Sequence, residues 1–236
     1  MLRRITLVLV AVVLTSLSLA GCGADDDKKA PAKKRNILLE RLTEARADID
    51  AAETVTIALK AKGLPDGTSG LQAAKGSGNK TPAFTGTVKY ITGSSTLSAE
   101  IIAVGAEVVA KPSFSPVFIT IDPASMKAPN PASFFEKDTG VSQILVETKS
   151  LTEVGKSRDG EDVLTAITGT LPGAVVRAII PSADTTAPFD VTYRLTDDNE
   201  LRDATITGPF YPNVDDVTYT ITTSTSDEPV VIKLPE

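Results

Sequence analysis

The chain contains no histidine and no tryptophan, one cysteine and two methionines among 236 residues. Without histidine there is no Ser-His-Asp triad, no imidazole general base and no histidine-containing metal set. A single cysteine leaves no intramolecular disulfide, so an exported chain of this sequence must fold on packing alone. Basic charge is also in short supply: 24 Lys and Arg stand against 30 Asp and Glu, a net of −6. An acidic chain does not draw in a polyanion through net charge, so nucleic acid is not an expected partner. No catalytic group, metal set or cofactor motif stands out.

What the chain does have begins at its N-terminus. Arg3 and Arg4 precede an apolar run from Ile5 to Leu19, which ends in Ala20, Gly21 and Cys22. That order is a secretory signal, and its apolar core is too short for a comfortable transmembrane helix. Leu19-Ala20-Gly21-Cys22 resembles the lipobox of bacterial lipoproteins. The resemblance implies cleavage before Cys22, a diacylglyceryl thioether on its sulfur and often a further acyl chain on the new amino group. Residues 1–21 are then the signal peptide. Its loss removes two of the 24 basic residues and no acidic one, leaving 22 against 30, a charge of −8.

Residues 22–36 are rich in Asp, Lys and Ala with no apolar period, and read as a lipidated, flexible tether. A single domain is expected over 37–236. Asn36 is the expected cap of a helix from Ile37 to Ala52, whose stripe of Leu38, Leu42, Ala45, Ile49 and Ala52 recurs every three or four residues. The period then drops to two. Val55, Ile57 and Leu59 open a meander of short strands, and Leu97 and Ile101 share one face further along. Val117 to Ile121 is the last run of that half. Residues 112–136 break the pattern with five prolines and four of the chain's seven phenylalanines. Rings on such a segment either plug a core or line a ligand entrance.

Asp138-Thr139-Gly140 matches the triplet of aspartic proteases, but that chemistry needs two facing carboxylates, and no second triplet exists in the chain. Asp138 is read instead as the N-cap of a helix reaching Lys149, with Val141, Ile144 and Leu145 on its buried side. Ser150 to Lys156 and Val163 to Thr170 read as a hairpin turned at Asp159-Gly160. After Pro172 comes a short helix containing Val176, Ile179 and Ile180, with Arg177 its one charge. A helix apolar almost all round needs cover on two sides. Phe189, Val191 and Tyr193 then alternate with polar residues, and two more strands follow.

Roughly ten strands and three helices make an α+β fold. A long antiparallel sheet with one apolar face must curl or be covered. The expected architecture is one curved sheet, a half-barrel, with helices over its concave face and an apolar cavity between. Strand alternation assigns its walls to Val55, Ile57, Leu59, Leu97, Ile101, Phe189, Val191 and Tyr193. The cover falls to Val141, Ile144, Leu145, Val176, Ile179 and Ile180.

The lipobox, the cap helix, the six-strand meander, Asp138-Thr139-Gly140-Val141 opening a helix, and the hairpin Gly155…Asp159-Gly160-Glu161-Asp162 occur together in one family. As a set they resemble the actinobacterial LppX/LprAFG lipoproteins, most closely the LprG type, and the likeness is best from Pro131 to Thr225. The resemblance implies a monomeric lipid carrier on the outer face of the cytoplasmic membrane. Its implied cargo is a triacylated glycolipid such as lipoarabinomannan or its precursors, or triacylglycerol, and its implied partner a major-facilitator transporter. The chain departs from the family pattern in the loop Lys111 to Pro123. Three other classes compete. A scaffolding lipoprotein would have a solid interior. A transporter-accessory module would carry an exposed apolar patch instead of a cavity. A hydrolase would need a Ser-Lys or paired-carboxylate site.

Overall fold

The period-two stretches pair into one antiparallel sheet. The computed structural model describes residues 26–65, 67–126, 128–137, 139–214 and 216–235. Among them, one meander comprises β1 (Thr54–Lys62), β2 (Gly70–Asn79), β3 (Ala83–Thr92), β4 (Ser95–Val104), β5 (Glu107–Pro112) and the two-residue β6 (Ile119–Thr120). A second comprises β7 (Lys149–Asp159), β8 (Asp162–Pro172), β9 (Pro188–Leu195), β10 (Leu201–Gly208) and β11 (Val217–Ser226). The meanders join where the first strand pairs with the last, Val55 opposite Thr225 and Lys60 opposite Thr220. The strand order is therefore β6-β5-β4-β3-β2-β1-β11-β10-β9-β8-β7.

This order has a consequence for the connection. β6 and β7 are the two edges of an 11-stranded sheet, so the chain from Ile121 to Thr148 must travel from one edge to the other. It does so over the concave face, through short 3-10 turns at Pro123–Met126 and Pro131–Phe135 and the helix α2 (Gln143–Glu147). Long connections of this kind in a packed domain usually serve a function.

α1 (Asp26–Ala51) lies across the same face and packs against α2 and β7. Its expected stripe is in place: Leu38, Leu42 and Ala45 are at most 2% exposed. The turn between β9 and β10 holds it from outside. Asn199, at φ 67°, accepts from Arg41 Nε at 2.5 Å and donates to Glu44 Oε2 at 2.5 Å, while Arg41 also reaches the Thr196 carbonyl. α3 (Gly173–Ile179) packs on β8 and β9.

Under α2 and α3 the interior is solid. Phe210 sits edge-on between Phe189 and Tyr219, with ring centres 4.8 and 4.7 Å away. Tyr193, fully buried, donates its hydroxyl to the Ile144 carbonyl at 3.0 Å and lies 2.7 Å from the Thr148 hydroxyl.

Several local expectations change. α1 begins at Asp26, so Asn36 lies inside it and does not cap it. Lys, Ala and Arg among residues 28–35 favour the helix, whereas Pro31 in the same span opposes it. α2 is shorter than expected, and Ser142 is its N-terminal flanking residue. Ser142 does not cap the helix; its hydroxyl donates to Asp50 Oδ1 at 2.7 Å and ties α2 to α1. Asp138 lies outside the described residues, as do Cys22 and the signal. The run from Val117 to Ile121 contributes only Ile119 and Thr120 to the sheet. Among the described residues no helix is long and apolar enough to cross a membrane.

Candidate functional site

The other half of the concave face is hollow. Strand β2 presents Ala74, Gly76 and Gly78 toward the interior, opposite Leu59, Ile57 and Val55 of β1. Two of those three positions have no side chain, and rings from elsewhere use the space. A Cβ on Gly78 would lie 2.3 Å from the Phe135 ring, and one on Gly76 would lie 2.5 Å from Phe84. Phe84 and Phe135 stack there with centres 6.1 Å apart.

Beside them, between strands β1–β5 and the crossing segment, is an apolar cavity of about 70 Å³. Ile57, Leu71, Ala74, Val88, Ile101 and Val108 form its floor, and Ile121, Pro123, Met126, Pro129, Pro131 and Phe134 its roof. Among the described residues no charged side chain lines it; the one polar side chain is that of Tyr90, whose hydroxyl donates to the Met126 carbonyl at 2.7 Å. Burial, and then the neighbouring Tyr211, push the Tyr90 pKa above its ordinary value of 10.0, so this donor keeps its proton at neutral pH.

Tyr90 and Met126 also border an open groove of about 650 Å³ on the rim, lined by Thr68, Ser69, Thr92, Ser125, Ser182 and Tyr211 among others. Among the described residues its lining offers hydroxyls and rings and no charge. At the opposite end Phe134 separates the cavity from a smaller cleft of about 160 Å³ beside Val55, Asn79 and Ser142. Groove, cavity and cleft thus lie in line beneath the roof, divided by Tyr90–Met126 at one point and by Phe134 at the other. Among the described residues the roof is held to the strands by few polar bonds; besides Tyr90, Asn130 Nδ2 donates to the Gly105 carbonyl at 2.8 Å and Ile121 N to the Val108 carbonyl at 3.0 Å. A further cleft of about 450 Å³ between α1 and the ends of β10 and β11 is bordered by Asp48, Glu200, Arg202 and Asp227, and its charges make it unlike the apolar track.

The structure places the residues assigned from sequence in three groups. Ile57 and Ile101 line the cavity. Leu97 lies on the same strand face as Ile101 but at the rim, 45% exposed, where it borders the groove. Val55 and Val141 border the smaller cleft. Leu59, Ile144, Leu145, Val176, Ile179, Ile180, Phe189, Val191 and Tyr193 belong to the packed interior, each no more than 6% exposed. Sequence reasoning did not assign Leu71, Ala74, Val88, Tyr90 and Val108, nor the roof. The signal for the roof was the cluster of prolines and phenylalanines at 112–136, for which both a plug and an entrance were open readings. Phe134 is buried and stands between cavity and cleft, while Pro123, Pro129 and Pro131 border the cavity.

Comparison with solved structures finds the same fold in mycobacterial proteins. LprF from Mycobacterium bovis is similar with a TM-score of 0.68 at 16% identity, covering 85% of this chain and 97% of that one. LppX from Mycobacterium tuberculosis is similar with a TM-score of 0.60 at 19% identity, covering 84% and 99%. No curated protein matches the chain. The sequence profile of the LppX_LprAFG lipoproteins matches residues 38–232. The chain belongs to the LppX_LprAFG lipoprotein family.

Proposed function

We propose that this lipoprotein is a lipid carrier that holds acyl chains beneath the roof segment, with an uncharged head group in the rim groove. The observation that carries this reading is an apolar cavity next to a hydroxyl-bearing groove, with no charge among the described residues that line either. Each methylene moved from water into such a space gains about 0.8 kcal/mol, so the track offers a lipid tail a route across an aqueous layer. The cavity of about 70 Å³ is half of the ~150 Å³ that admits one benzene, so loading requires the roof to move away from the strands. Three neutral hydrogen bonds of about 1 kcal/mol each, at Tyr90, Asn130 and Ile121, are a modest hold on it among the described residues. No step in carriage needs a catalytic group.

The cargo consistent with this lining is a triacylated glycolipid or triacylglycerol. Its movement is from the cytoplasmic membrane toward the outer envelope, with a major-facilitator transporter as supplier. The protein acts as an anchored monomer on the extracytoplasmic face, held through Cys22. Two or more acyl chains are needed for stable anchoring, since one alone binds marginally. Cys22→Ala is therefore expected to move the protein from the membrane fraction to the soluble fraction, or to stall it with its signal attached. A fully processed variant still in the membrane would remove the anchor from the account. Cargo is tested by native mass spectrometry of protein purified without detergent. Adducts with the masses of acylated lipids are expected. A bare polypeptide that also takes up no lipid from vesicles would end the carrier reading.

A further inference from the structure

The loop between β5 and β6 displays apolar side chains where a packed domain would hide them. Phe114 is 80% exposed, Val117 58% and Ile119 49%. The loop is ordered by its own bonds: Ser115 N donates to the Pro112 carbonyl at 2.9 Å, Ser115 Oγ donates to the Val117 carbonyl at 3.1 Å, and Pro116 lies between. Phe114 is thus held outward on a stiff tip. The tip lies at the end of the sheet that carries the groove. Ser113 N donates to the Ser98 carbonyl at 2.9 Å, next to Leu97, which borders the groove together with Met126. Among the described residues Leu97, Phe114, Val117, Ile119 and Met126 are five of the nine exposed large hydrophobic side chains, so the exposed apolar surface there is concentrated at this side of the sheet.

We propose that the 112–119 loop inserts Phe114 and Val117 into a lipid bilayer and seats the mouth of the track on the membrane. This rests on the carrier reading above. A tail crossing from bilayer to cavity avoids water only if the mouth touches the bilayer, and the tip lies at that end of the sheet. Charge agrees with this occupant. The chain carries 30 acidic residues, yet none falls from Val108 to Ile121, so nothing on the loop is repelled by anionic headgroups. Lys111, the one charge in that span, is paired with Glu100 at 2.9 Å. A few side chains on a narrow tip are also too little surface for a stable protein interface, which takes roughly 800 Å² from each partner. They suit shallow insertion, where buried apolar area suffices.

The absence of tryptophan makes the test direct. Phe114→Trp, in the full acylated chain bound to phosphatidylglycerol–phosphatidylcholine vesicles, gives a single indole at the tip. Val154→Trp, 59% exposed on the edge strand β7, is the control. The expected result is blue-shifted emission and quenching by bromine-labelled acyl chains at 114 and neither at 154. In parallel, Phe114→Ser with Val117→Ser is expected to slow lipid extraction from vesicles about tenfold, while content loaded from detergent-dispersed lipid is unchanged. Water-like emission at 114 on vesicles overturns the proposal. So does a blue shift that grows with protein concentration without vesicles, which means a second copy covers the tip, or one that appears only when a membrane protein is added. Cargo present with the indole in water removes the tip and leaves the carrier. An indole in the bilayer with no cargo from any source removes the carrier and leaves a membrane-seated tip.

Discussion

Ala74→Phe is expected to lower affinity for acylated lipid about a hundredfold while the protein remains folded. Ala74 lies on β2, paired with Leu59 on one side and Val88 on the other, and its methyl borders the cavity. A phenyl group there puts six more carbons into a space of about 70 Å³. If it displaces four methylenes of a bound tail, the loss is about 3 kcal/mol, which is roughly two powers of ten. The roof is irregular and lightly bonded, so it can rise to admit the ring; at worst the overpacking cost is the usual 1–3 kcal/mol. Val176→Trp provides the contrast. Val176 on α3 is 2% exposed in the solid half of the interior, so this change is expected to lower stability by about 1–3 kcal/mol and leave lipid content unaltered. Lipid extraction and thermal melting on the two variants separate space from packing. Wild-type lipid content in Ala74→Phe would show that cargo does not lie beneath the roof. Loss of lipid in Val176→Trp at normal stability would place it under α3.

Much of the fold was legible because one residue in two faces the interior. Val55, Ile57 and Leu59 alternate with Thr56, Ala58 and Lys60, and a one-residue slip would expose all three. The turns at Asp159-Gly160 and Asp197-Asp198-Asn199 carry their chemistry in a few residues; Gly160 and Asn199 both adopt positive φ, at 63° and 67°. The buried stripe of α1 was equally direct. Its start was not, because a stretch of Lys, Ala and Arg looks the same whether solvated as coil or as helix.

The site was harder to read for a physical reason. Alternation tells which face of a strand is buried, and it says nothing of what lies above that face. Phe189 and Ile57 have the same local pattern. Phe189 meets the Phe210 ring, whereas Ile57 meets a gap beneath Pro131 and Phe134. The difference is made by the crossing segment, which has no period of its own. The apolar helix after Pro172 suggested a ligand face, yet Val176, Ile179 and Ile180 find protein on both sides. A better clue was small residues on one strand. Ala74, Gly76 and Gly78 alternate on β2 and leave the concave face bare just where the roof passes. The family resemblance supplied the half-barrel but not which half was open.

Stability is expected to collapse above pH 10, at about 3 kcal/mol per pH unit from two tyrosines. Tyr193 and Tyr219 are fully buried, and burial is the leading cause that raises both pKa values above the ordinary 10.0. Hydrogen bonding fixes the protonated forms. Tyr219 donates to the Leu71 carbonyl at 2.7 Å, and its oxygen lies 2.6 Å from the Tyr211 hydroxyl. Tyr193 donates to the Ile144 carbonyl at 3.0 Å. As pH rises past 10 the unfolded chain releases these protons and the folded one retains them. The unfolded state then binds fewer protons, so the free energy of unfolding falls by about 1.4 kcal/mol per pH unit for each group. Below the unfolded pKa the contribution is fully present; it is lost as pH climbs toward the folded values. Tyr211, also raised chiefly by burial, adds in the same direction. Two units above pH 10 remove about 5 kcal/mol, which equals the low end of a typical total of roughly 5–15 kcal/mol. Urea denaturation at a series of pH values measures the slope, and tyrosinate absorbance should appear together with unfolding rather than ahead of it. Tyr193→Phe should reduce the slope by about 1.4 kcal/mol per pH unit, while costing about 1 kcal/mol at neutral pH for its hydrogen bond. A stability that stays flat from pH 8 to about pH 11, or tyrosinate formed in the folded protein over that range, would mean that these hydroxyls are not sealed in the interior.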